Sequence, residues 1–145
     1  SSAHIRVADA TAYYAMPEGQ RGIYVGGGAS VRVPRLIGVA RMMDMMLTGR
    51  TYTADEGLGI GLSQYVVPAG AALAKAIELA ERISANAGLT NFAVMHALPR
   101  IAEMPPASGF MTESLMAAIA QSSPEAKARL RAFLEKKAGK VTPNS

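Results

Sequence analysis

Residues 13–38, YYAMPEGQRGIYVGGGASVRVPRLIG, constrain the fold of this chain more than any other stretch of its sequence. Pro17 fixes its own φ and Gly19 leaves the backbone almost unrestricted, so Glu18 between them is predicted to lie on a bend. The glycines at 26–28 remove three successive Cβ atoms, which permits left-handed backbone or the close approach of another group. A carboxylate on a bend can face a cavity. On composition alone, a surface turn followed by a flexible glycine loop is preferred over a carboxylate that faces a cavity. The order of the other motifs decides between these two interpretations.

Short strands are predicted before and after this segment. Ile5 and Val7 alternate with polar residues in the period-two pattern of a half-buried strand. Tyr13 and Tyr14 are adjacent in a second extended run, so one is expected to face the core and the other a cavity, although both can serve as packing. The predicted strands begin at the first residues and continue at 12–15, 22–25 and 63–67.

Residues 29–48 are predicted to be mainly helical, and the glycine cluster is therefore expected to abut a helix N-terminus. Pro34 is tolerated only in a first turn, so we expect a short helix or a new start near Pro34, with a second break at Gly38. Residues 39–47, VARMMDMML, are nearly all apolar. This composition predicts a buried helix with its methionines in the core, ended by Gly49.

The remaining sequence predicts mostly helices. Thr53 followed three residues later by Glu56 is a capping box, which gives Glu56 a structural role. The helices predicted after Pro68 are 71–87, with Leu73, Ile77, Ala80 and Ser84 on one face; 91–101, cut short by Pro99; 111–121; and 123–138, with Ser123 as N-cap and Pro124 in the first turn. These helices must pack on one another or on another subunit. We expect residues 139–145 to be disordered.

The composition excludes several functional classes. The 145 residues, 50% of them hydrophobic, correspond to one domain by length and contain no apolar run long enough to span a membrane. With no cysteine and only His4 and His96, a metal site is not expected, and His96 is interpreted as structural.

The net charge of +4 suits a polyanionic ligand, but nucleic acid is not expected because basic and aromatic residues are not interleaved. A dinucleotide-binding loop is excluded because its glycine spacing fails at Val31. The first residues carry no targeting signal, so we expect a cytoplasmic protein.

The order and spacing of the motifs are similar to those of one family over nearly the whole chain. The pattern PE-x-x-x-G-I-x-P-G-x-G-G-(x)n-R-L-x-G is matched by Pro17, Glu18, Gly22, Ile23, Gly26, Gly28, Arg35, Leu36 and Gly38. Further matches are LTG at 47–49, ADEGLGIGL at 54–62 and FLEKK at 133–137. The sequence departs from the pattern at Val25, where proline is usual, and at Ala29, where glycine is common. The chain resembles the enoyl-CoA hydratase/isomerase family of the crotonase superfamily.

The resemblance implies an α/β fold. Residues 1–68 would form the second half of a crotonase-like spiral of short strands and helices, and residues 69–145 a helical region for oligomerisation and CoA binding. Because members of the family are about twice as long as this chain, we expect it to be a C-terminal half. A glycine-rich segment ending in a glutamate, and the two backbone N–H donors of the oxyanion hole, would then lie upstream. The resemblance also implies a homotrimer or a hexamer.

Roles for individual residues follow from the same resemblance. Glu18 matches the acid/base glutamate that delivers or removes the proton at the α-carbon of an enoyl-CoA. A carboxylate in a largely apolar pocket can exchange a proton near neutral pH, which suits that role. Gly26 and Gly27, together with Tyr14, are expected beside the bound thioester.

The match at 133–137 implies contacts with CoA. Phe133, Lys136 and Lys137 would meet the adenine and the phosphates, although a solvated basic helix end explains the lysines equally well. The acyl-CoA thioester is the expected substrate. Neither a separate cofactor nor a metal is expected.

Three functions remain open at this point. The first is a hydratase-like lyase that adds water across an α,β double bond, with the enolate held in an oxyanion hole. The second is an enoyl-CoA isomerase that uses Glu18 alone as a proton shuttle. The third is an assembly module without catalysis, because the expected oxyanion donors lie outside this sequence.

Overall fold

Most of the chain is helical, and its strands are only two or three residues long. The computed structural model describes residues 2–139. The chain divides into two units between Ala80 and Glu81, within a helix. The division predicted after residue 68 falls just beyond the last strand and stays a prediction.

The first unit contains, in chain order, strands β1 (Val7–Asp9) and β2 (Tyr13–Tyr14), a 3₁₀ turn (Gly19–Arg21), helices α1 (Ala29–Ile37) and α2 (Val39–Thr48), strand β3 (Tyr52–Thr53), helix α3 (Ala54–Gly59), strand β4 (Tyr65–Val67) and most of helix α4 (Ala72–Ser84). β1 and β4 pair in parallel, with Val7 opposite Tyr65. β2 and β3 pair antiparallel, with Tyr14 opposite Tyr52. Three of the predicted extended segments therefore contain strands, although each strand is shorter than expected.

Helices α1 and α2 supply most of the core of the first unit. Val33 and Ile37 lie four residues apart on α1, and Met42 and Met45 lie three apart on α2, so each pair shares one face of its helix. Gly38, with φ 84°, separates the helices and lets the chain turn between them. The buried residues that pack together are Val25, Val33, Ile37, Met42, Met45, Tyr52 and Leu62.

The predicted helix break at Gly38 is confirmed, but the break at Pro34 is wrong. Helix α1 runs through Pro34. Proline has no N–H, so the helix loses one hydrogen bond to the carbonyl four residues earlier. The carbonyl of Pro34 still accepts a hydrogen bond from the N–H of Gly38 at 2.8 Å. The buried side chains on both sides of the proline, Val33 and Ile37, hold the helix across it.

The strand predicted at 22–25 is also wrong. A strand needs a neighbour with which to exchange backbone hydrogen bonds. Within residues 2–139, neither strand pair includes this segment. The alternation predicts Ile23 and Val25 on the same side, but Val25 is buried in the core, whereas Ile23 and Tyr24 are exposed, Tyr24 to 76%.

Helix α2 is buried on one side only, so the predicted core position is confirmed for Met42 and Met45 and is wrong for Met43. Met42 and Met45 lie in the core, and Met45 is only 1% exposed. Val39, Met43 and Leu47 are exposed, Leu47 to 71%. The described residues that pack on α2, from α1 and the 3₁₀ turn, cover one side of the helix and leave an apolar face open.

Helix α4 confirms the helix predicted at 71–87 but packs with a different face. Leu79 is buried, whereas Leu73 and Ile77, on the predicted apolar face, are exposed, Leu73 to 73%. The ammonium group of Lys75 lies 5.6 Å from the centre of the Tyr65 ring on β4. Lys75 and Leu79 lie four residues apart on the side of the helix opposite Leu73 and Ile77, so this side is the covered one.

Up to residue 139, the second unit contains the end of α4 and further helices. The further helices are α5 (Gly88–Phe92), a π-helical segment (Ala93–Ala97), α6 (Leu98–Ile101), α7 (Pro106–Gln121) and α8 (Pro124–Leu134). No helix within residues 2–139 is both long enough and apolar enough to cross a membrane.

Two predicted helices of this unit begin earlier than expected. Helical backbone continues from Gly88 through the π-helical segment to Ile101, so the predicted end at 101, two residues after Pro99, is confirmed, and the start lies three residues before the predicted 91. Helix α7 begins at Pro106, five positions before the predicted start at 111, because a proline fits the first turn of a helix.

The predicted start of the last helix is confirmed. The hydroxyl of Ser123 accepts a hydrogen bond from the N–H of Ala126 at 3.1 Å, and Pro124 occupies the first turn. The helix ends at Leu134, before the predicted 138, in a turn with left-handed backbone at Lys136. Residues 140–145 of the predicted tail lie outside the described residues.

Candidate active site

Glu18 begins the 3₁₀ turn in the first unit. Its backbone is helical, with φ −58° and ψ −41°. Its carbonyl accepts hydrogen bonds from the N–H groups of Arg21 at 3.0 Å and Ile23 at 3.1 Å. Gly22, with φ 68°, supplies the left-handed residue that ends the turn. The predicted bend at Glu18 is therefore confirmed, and it is a hydrogen-bonded turn.

The carboxyl group of Glu18 has one oxygen buried without a partner. The side chain is half-buried, and Oε2 has no hydrogen-bond partner among the residues that the structure describes. Buried polar atoms are almost always hydrogen-bonded, so an exception calls for an explanation such as a ligand or a catalytic role. A carboxylate with a free oxygen can accept a proton from a bound molecule and return it.

The turn that carries Glu18 is docked on the C-terminal end of α2. A Cβ atom added at Gly19 would overlap the carbonyl oxygen of Met46, so the backbone of the turn lies directly against the helix. The side-chain amide of Gln20 donates a hydrogen bond to the carbonyl oxygen of Thr48 at 2.9 Å. A Cβ at Gly49 would overlap the same amide. The docking of the turn on α2 therefore depends on the absence of side chains at Gly19 and Gly49 and on the side-chain amide of Gln20.

A groove of about 470 Å³ begins at the residue after Glu18. Most of its lining is apolar and comes from the 3₁₀ turn, α1 and the open face of α2. The lining residues are Gly19, Ile23, Tyr24, Ser30, Pro34, Val39, Met42, Met43, Met46 and Leu47. Glu18 itself is not among them, so the acid lies next to the groove and not in its wall.

Tyr14 is part of the packing of the first unit. It lies on β2, contacts the core cluster and is half-buried, whereas Tyr13 is exposed. A Cβ at Gly57 on α3 would overlap the Tyr14 ring, so this ring covers the glycine closely. The role of Tyr14 beside a substrate stays a prediction.

The glycine cluster abuts the N-terminus of α1, as predicted. Gly28 is the N-cap, and both Gly27 and Gly28 have positive φ. The carbonyl of Gly26 accepts a hydrogen bond from the N–H of Ala29 at 3.1 Å, and the guanidinium of Arg32 donates to the carbonyl of Gly27. A Cβ at Gly26 would meet no atom within 4 Å, so the backbone there borders open space. Substrate contact at Gly26 and Gly27 stays a prediction.

Phe133, Lys136 and Lys137 lie at the end of α8 in the second unit. Phe133 is exposed, and the ammonium of Lys137 lies 2.8 Å from Oε2 of Glu135. Lys136 has φ 56°, and the N–H of Lys137 donates to the carbonyl of Ala132, which is the hydrogen bond of a Schellman cap. Their contact with CoA stays a prediction.

A second cleft of the first unit, of about 380 Å³, has both charged and apolar residues in its wall, among them Arg41, Asp44, Arg50 and Glu56. In it Arg50 lies 4.6 Å from the centre of the Tyr52 ring, 3.5 Å from Oδ2 of Asp44 and 3.9 Å from Oε1 of Glu56. Hydrogen bonds from the N–H and hydroxyl of Thr53 hold the pKa of Glu56 below its usual range, and the charge of Arg50 adds to this effect. The predicted capping box is confirmed. The charges neutralise one another, so this cleft is interpreted as structural.

His96 lies in the π-helical segment of the second unit. The ring of His96 packs against the ring of Phe92 with centroids 4.8 Å apart and planes tilted by 48°, and the residue is exposed. Residues 2–139 contain no group of three or more His, Cys, Asp or Glu side chains that could hold a metal ion.

Sequence reasoning missed the docking of the turn on α2. Gln20 and Thr48 are 28 residues apart, so no local pattern links them. Gly49 has a sequence signal, but that signal predicts only the end of a helix. The missing information was the proximity of the two segments.

Comparison with known proteins identifies relatives over almost the whole chain. The profile of the enoyl-CoA hydratase/isomerase family matches residues 1–142. An enoyl-CoA hydratase of Mycobacterium tuberculosis is 39% identical over 134 residues, which are 92% of this chain and 50% of that protein.

Solved structures agree with this match. A candidate enoyl-CoA hydratase from Rhodopseudomonas palustris superposes with a TM-score of 0.87 at 65% identity, over 93% of this chain and 52% of that one. A candidate enoyl-CoA hydratase/isomerase from Mycobacterium abscessus gives a TM-score of 0.82 at 38% identity, over 95% and 57%. The chain thus shares the crotonase-like α/β fold of these structures and spans about half the length of the relatives that it matches.

Proposed function

The chain belongs to the enoyl-CoA hydratase/isomerase family, and on that premise we propose that the protein carrying it transforms an α,β-unsaturated acyl-CoA thioester with Glu18 as the acid/base. The observation that carries this proposal is the buried oxygen of Glu18, which has no partner among the described residues. Such an oxygen is suited to exchange a proton with a bound substrate, because it competes with no internal hydrogen bond.

In the proposed hydration, water adds across the double bond. A C–O bond forms at the β-carbon, and the electron pair of the double bond moves into the thioester as an enolate. The glutamate that is expected upstream of this chain would take the proton that the attacking water loses. Glu18, in its protonated form, then delivers a proton to the α-carbon, and the reverse reaction returns both protons. Hydrogen-bond donors to the thioester oxygen, expected outside this chain, would hold the enolate. No separate cofactor takes part, because every step is a proton transfer or an addition.

Isomerisation is the second candidate. Of the carboxylates that the structure describes, Glu18 has a buried oxygen without a partner, and one acid of this kind is enough to move a proton between two carbons. Glu18 would remove the proton at the α-carbon of a β,γ-unsaturated thioester and return it at the γ-carbon. The double bond would thereby become conjugated with the thioester.

Two substrates in labelled water distinguish the candidates. With an α,β-unsaturated acyl-CoA in ¹⁸O-water, a hydratase removes the absorbance of the conjugated thioester and places ¹⁸O on the β-carbon. With a β,γ-unsaturated acyl-CoA, an isomerase generates that absorbance without ¹⁸O incorporation. If the complete protein changes neither substrate, the proposed function is wrong and the assembly module remains.

The second unit is assigned to CoA binding and assembly in this proposal. Its exposed Phe133 and the adjacent Lys136 and Lys137 suit an adenine ring and phosphates. The region that begins at residue 69 would also hold subunits together in a trimer or hexamer. Light scattering after size exclusion measures the mass of the assembly, and a monomer would contradict this part of the proposal.

A further inference from the structure

We infer that Gln20 is a positioning residue for Glu18, an inference that rests on the proposed acid/base role of Glu18. Gln20 is two positions from Glu18 in the same turn. Its side-chain amide donates a hydrogen bond to the carbonyl oxygen of Thr48 at 2.9 Å. This bond ties the turn that carries the acid to the last residue of α2.

The acceptor in this bond is available because of its place in the helix. The last four carbonyls of a helix lack intrahelical partners, and Thr48 is the final residue of α2. The chain leaves the helix through Gly49, which has φ 76°. A Cβ at Gly49 would overlap the Gln20 amide, so the amide packs directly against the backbone of Gly49. The glycine therefore provides both the turn and the space that the amide occupies.

A second contact fixes the same turn one residue closer to the acid. Gly19 lies against the carbonyl of Met46, and an added Cβ would meet the backbone there. The carbonyl of Glu18 is held by Ile23 at 3.1 Å. Glu18 thus has a fixed backbone on its C-terminal side, and the side chain of Gln20 adds a hydrogen bond from the turn to α2.

Both the length and the donor group of Gln20 matter for this role. Glutamate has the same shape but offers only acceptors, so Gln20→Glu would place a carboxylate oxygen against the carbonyl oxygen of Thr48. Lysine is long enough and donates, so Gln20→Lys retains the donor. A displacement of the reacting group by about 1 Å can cost up to 10²-fold in rate, so a small movement of the turn is measurable as turnover.

The experiment uses the complete protein that carries this chain and compares Gln20→Glu, Gln20→Lys and Glu18→Gln, alone and in combination. Gln20→Glu is expected to lower kcat about tenfold, with KM changed less than about twofold and Tm nearly unchanged. Gln20→Lys is expected to recover at least about half of kcat. In the Glu18→Gln background, Gln20→Glu should have no further effect, because the group that it positions is already absent.

The outcomes separate this inference from the proposed function. Full activity of Glu18→Gln would reject the proposed function. Loss of activity in Glu18→Gln together with wild-type kcat in Gln20→Glu would reject the positioning role of Gln20 and leave the proposed function intact.

A measurement independent of activity uses amide hydrogen exchange. The N–H groups of Arg21 and Ile23 donate to the carbonyl of Glu18, so they report on the position of the turn. Gln20→Glu is expected to accelerate their exchange about tenfold, because the turn opens locally more often. Unchanged exchange at both amides would overturn the inference.

Discussion

The backbone carbonyl of Glu18 accepts a hydrogen bond from the N–H of Ile23 at 3.1 Å, and this bond connects the candidate acid to the apolar groove. Ile23 lines the groove, whereas Glu18 lies beside it with one oxygen buried and without a partner in the described chain. An acid and an apolar surface held by the same short turn are suited to a substrate with a reactive carbon and an apolar chain.

Replacement of Gly57 by alanine is expected to destabilise the first unit. The new methyl group would overlap the ring of Tyr14, which packs against the core, so either the ring or α3 must move. Overpacking of this kind costs about 1–3 kcal/mol, which urea unfolding can measure. Gly59→Ala on the same helix is the matched control, because a Cβ there meets no atom within 4 Å. Equal stability of the two variants would contradict the close contact at Gly57.

Removal of the Thr53 hydroxyl is expected to weaken the start of α3. The hydroxyl oxygen accepts a hydrogen bond from the N–H of Glu56 at 3.3 Å, so Thr53→Ala leaves that N–H without its cap. The expected loss is about 1 kcal/mol in the free energy of unfolding. Thr51→Ala, at an exposed position just before β3, should change stability less. A similar loss in both variants would show that the cap contributes nothing.

Asp9 is expected to make stability depend on acidity. Hydrogen bonds from the Thr11 hydroxyl, the Thr11 N–H and the Gly70 N–H hold the pKa of Asp9 below its ordinary value of 3.8. Because the folded state binds this proton less tightly than the unfolded chain, the stabilisation is complete above pH 3.8 and is lost as the pH falls through the lowered pKa of the folded state.

The comparison of wild type with Asp9→Asn tests this dependence. The wild type should be more stable near neutral pH, and the difference in free energy of unfolding should shrink as the pH falls below about 3.8. A difference that does not change with pH would contradict the account.

Lys136→Gly is expected to stabilise the second unit and to weaken the proposed CoA binding. Lys136 has φ 56°, a conformation that costs a non-glycine residue about 1 kcal/mol. Glycine removes that cost but also removes a cation. Unfolding experiments and calorimetric titration with CoA measure the two effects, with Lys137→Gly as the control for stability. A variant no more stable than wild type would contradict the strain at this position, and unchanged CoA affinity would contradict the proposed contact.

The features that the sequence predicts correctly are local. The ends of helices at Gly49 and Ser123 and the capping box at Thr53 each depend on residues within a few positions of one another, so the sequence contains the whole signal. The bend at Glu18 is local in the same way, because Pro17 and Gly19 flank it directly.

The features that it fails to predict depend on contacts between distant segments. The apolar residues of α2 do not by themselves indicate that Met43 and Leu47 remain exposed, because burial depends on which other segments pack beside the helix. For the same reason, the sequence does not indicate that α4 buries Leu79 and leaves Leu73 and Ile77 exposed. The helix through Pro34 shows that tertiary packing can outweigh a missing hydrogen bond.

The measurement that tests the central claim most directly is the turnover of Glu18→Gln in the complete protein with an unsaturated acyl-CoA. The variant keeps the shape of the side chain but cannot exchange the proton, so kcat should fall at least about 10²-fold while KM changes little. Glu113→Gln, at an exposed position on α7, should retain wild-type turnover. Wild-type turnover in Glu18→Gln would contradict the assignment of Glu18 as the acid/base.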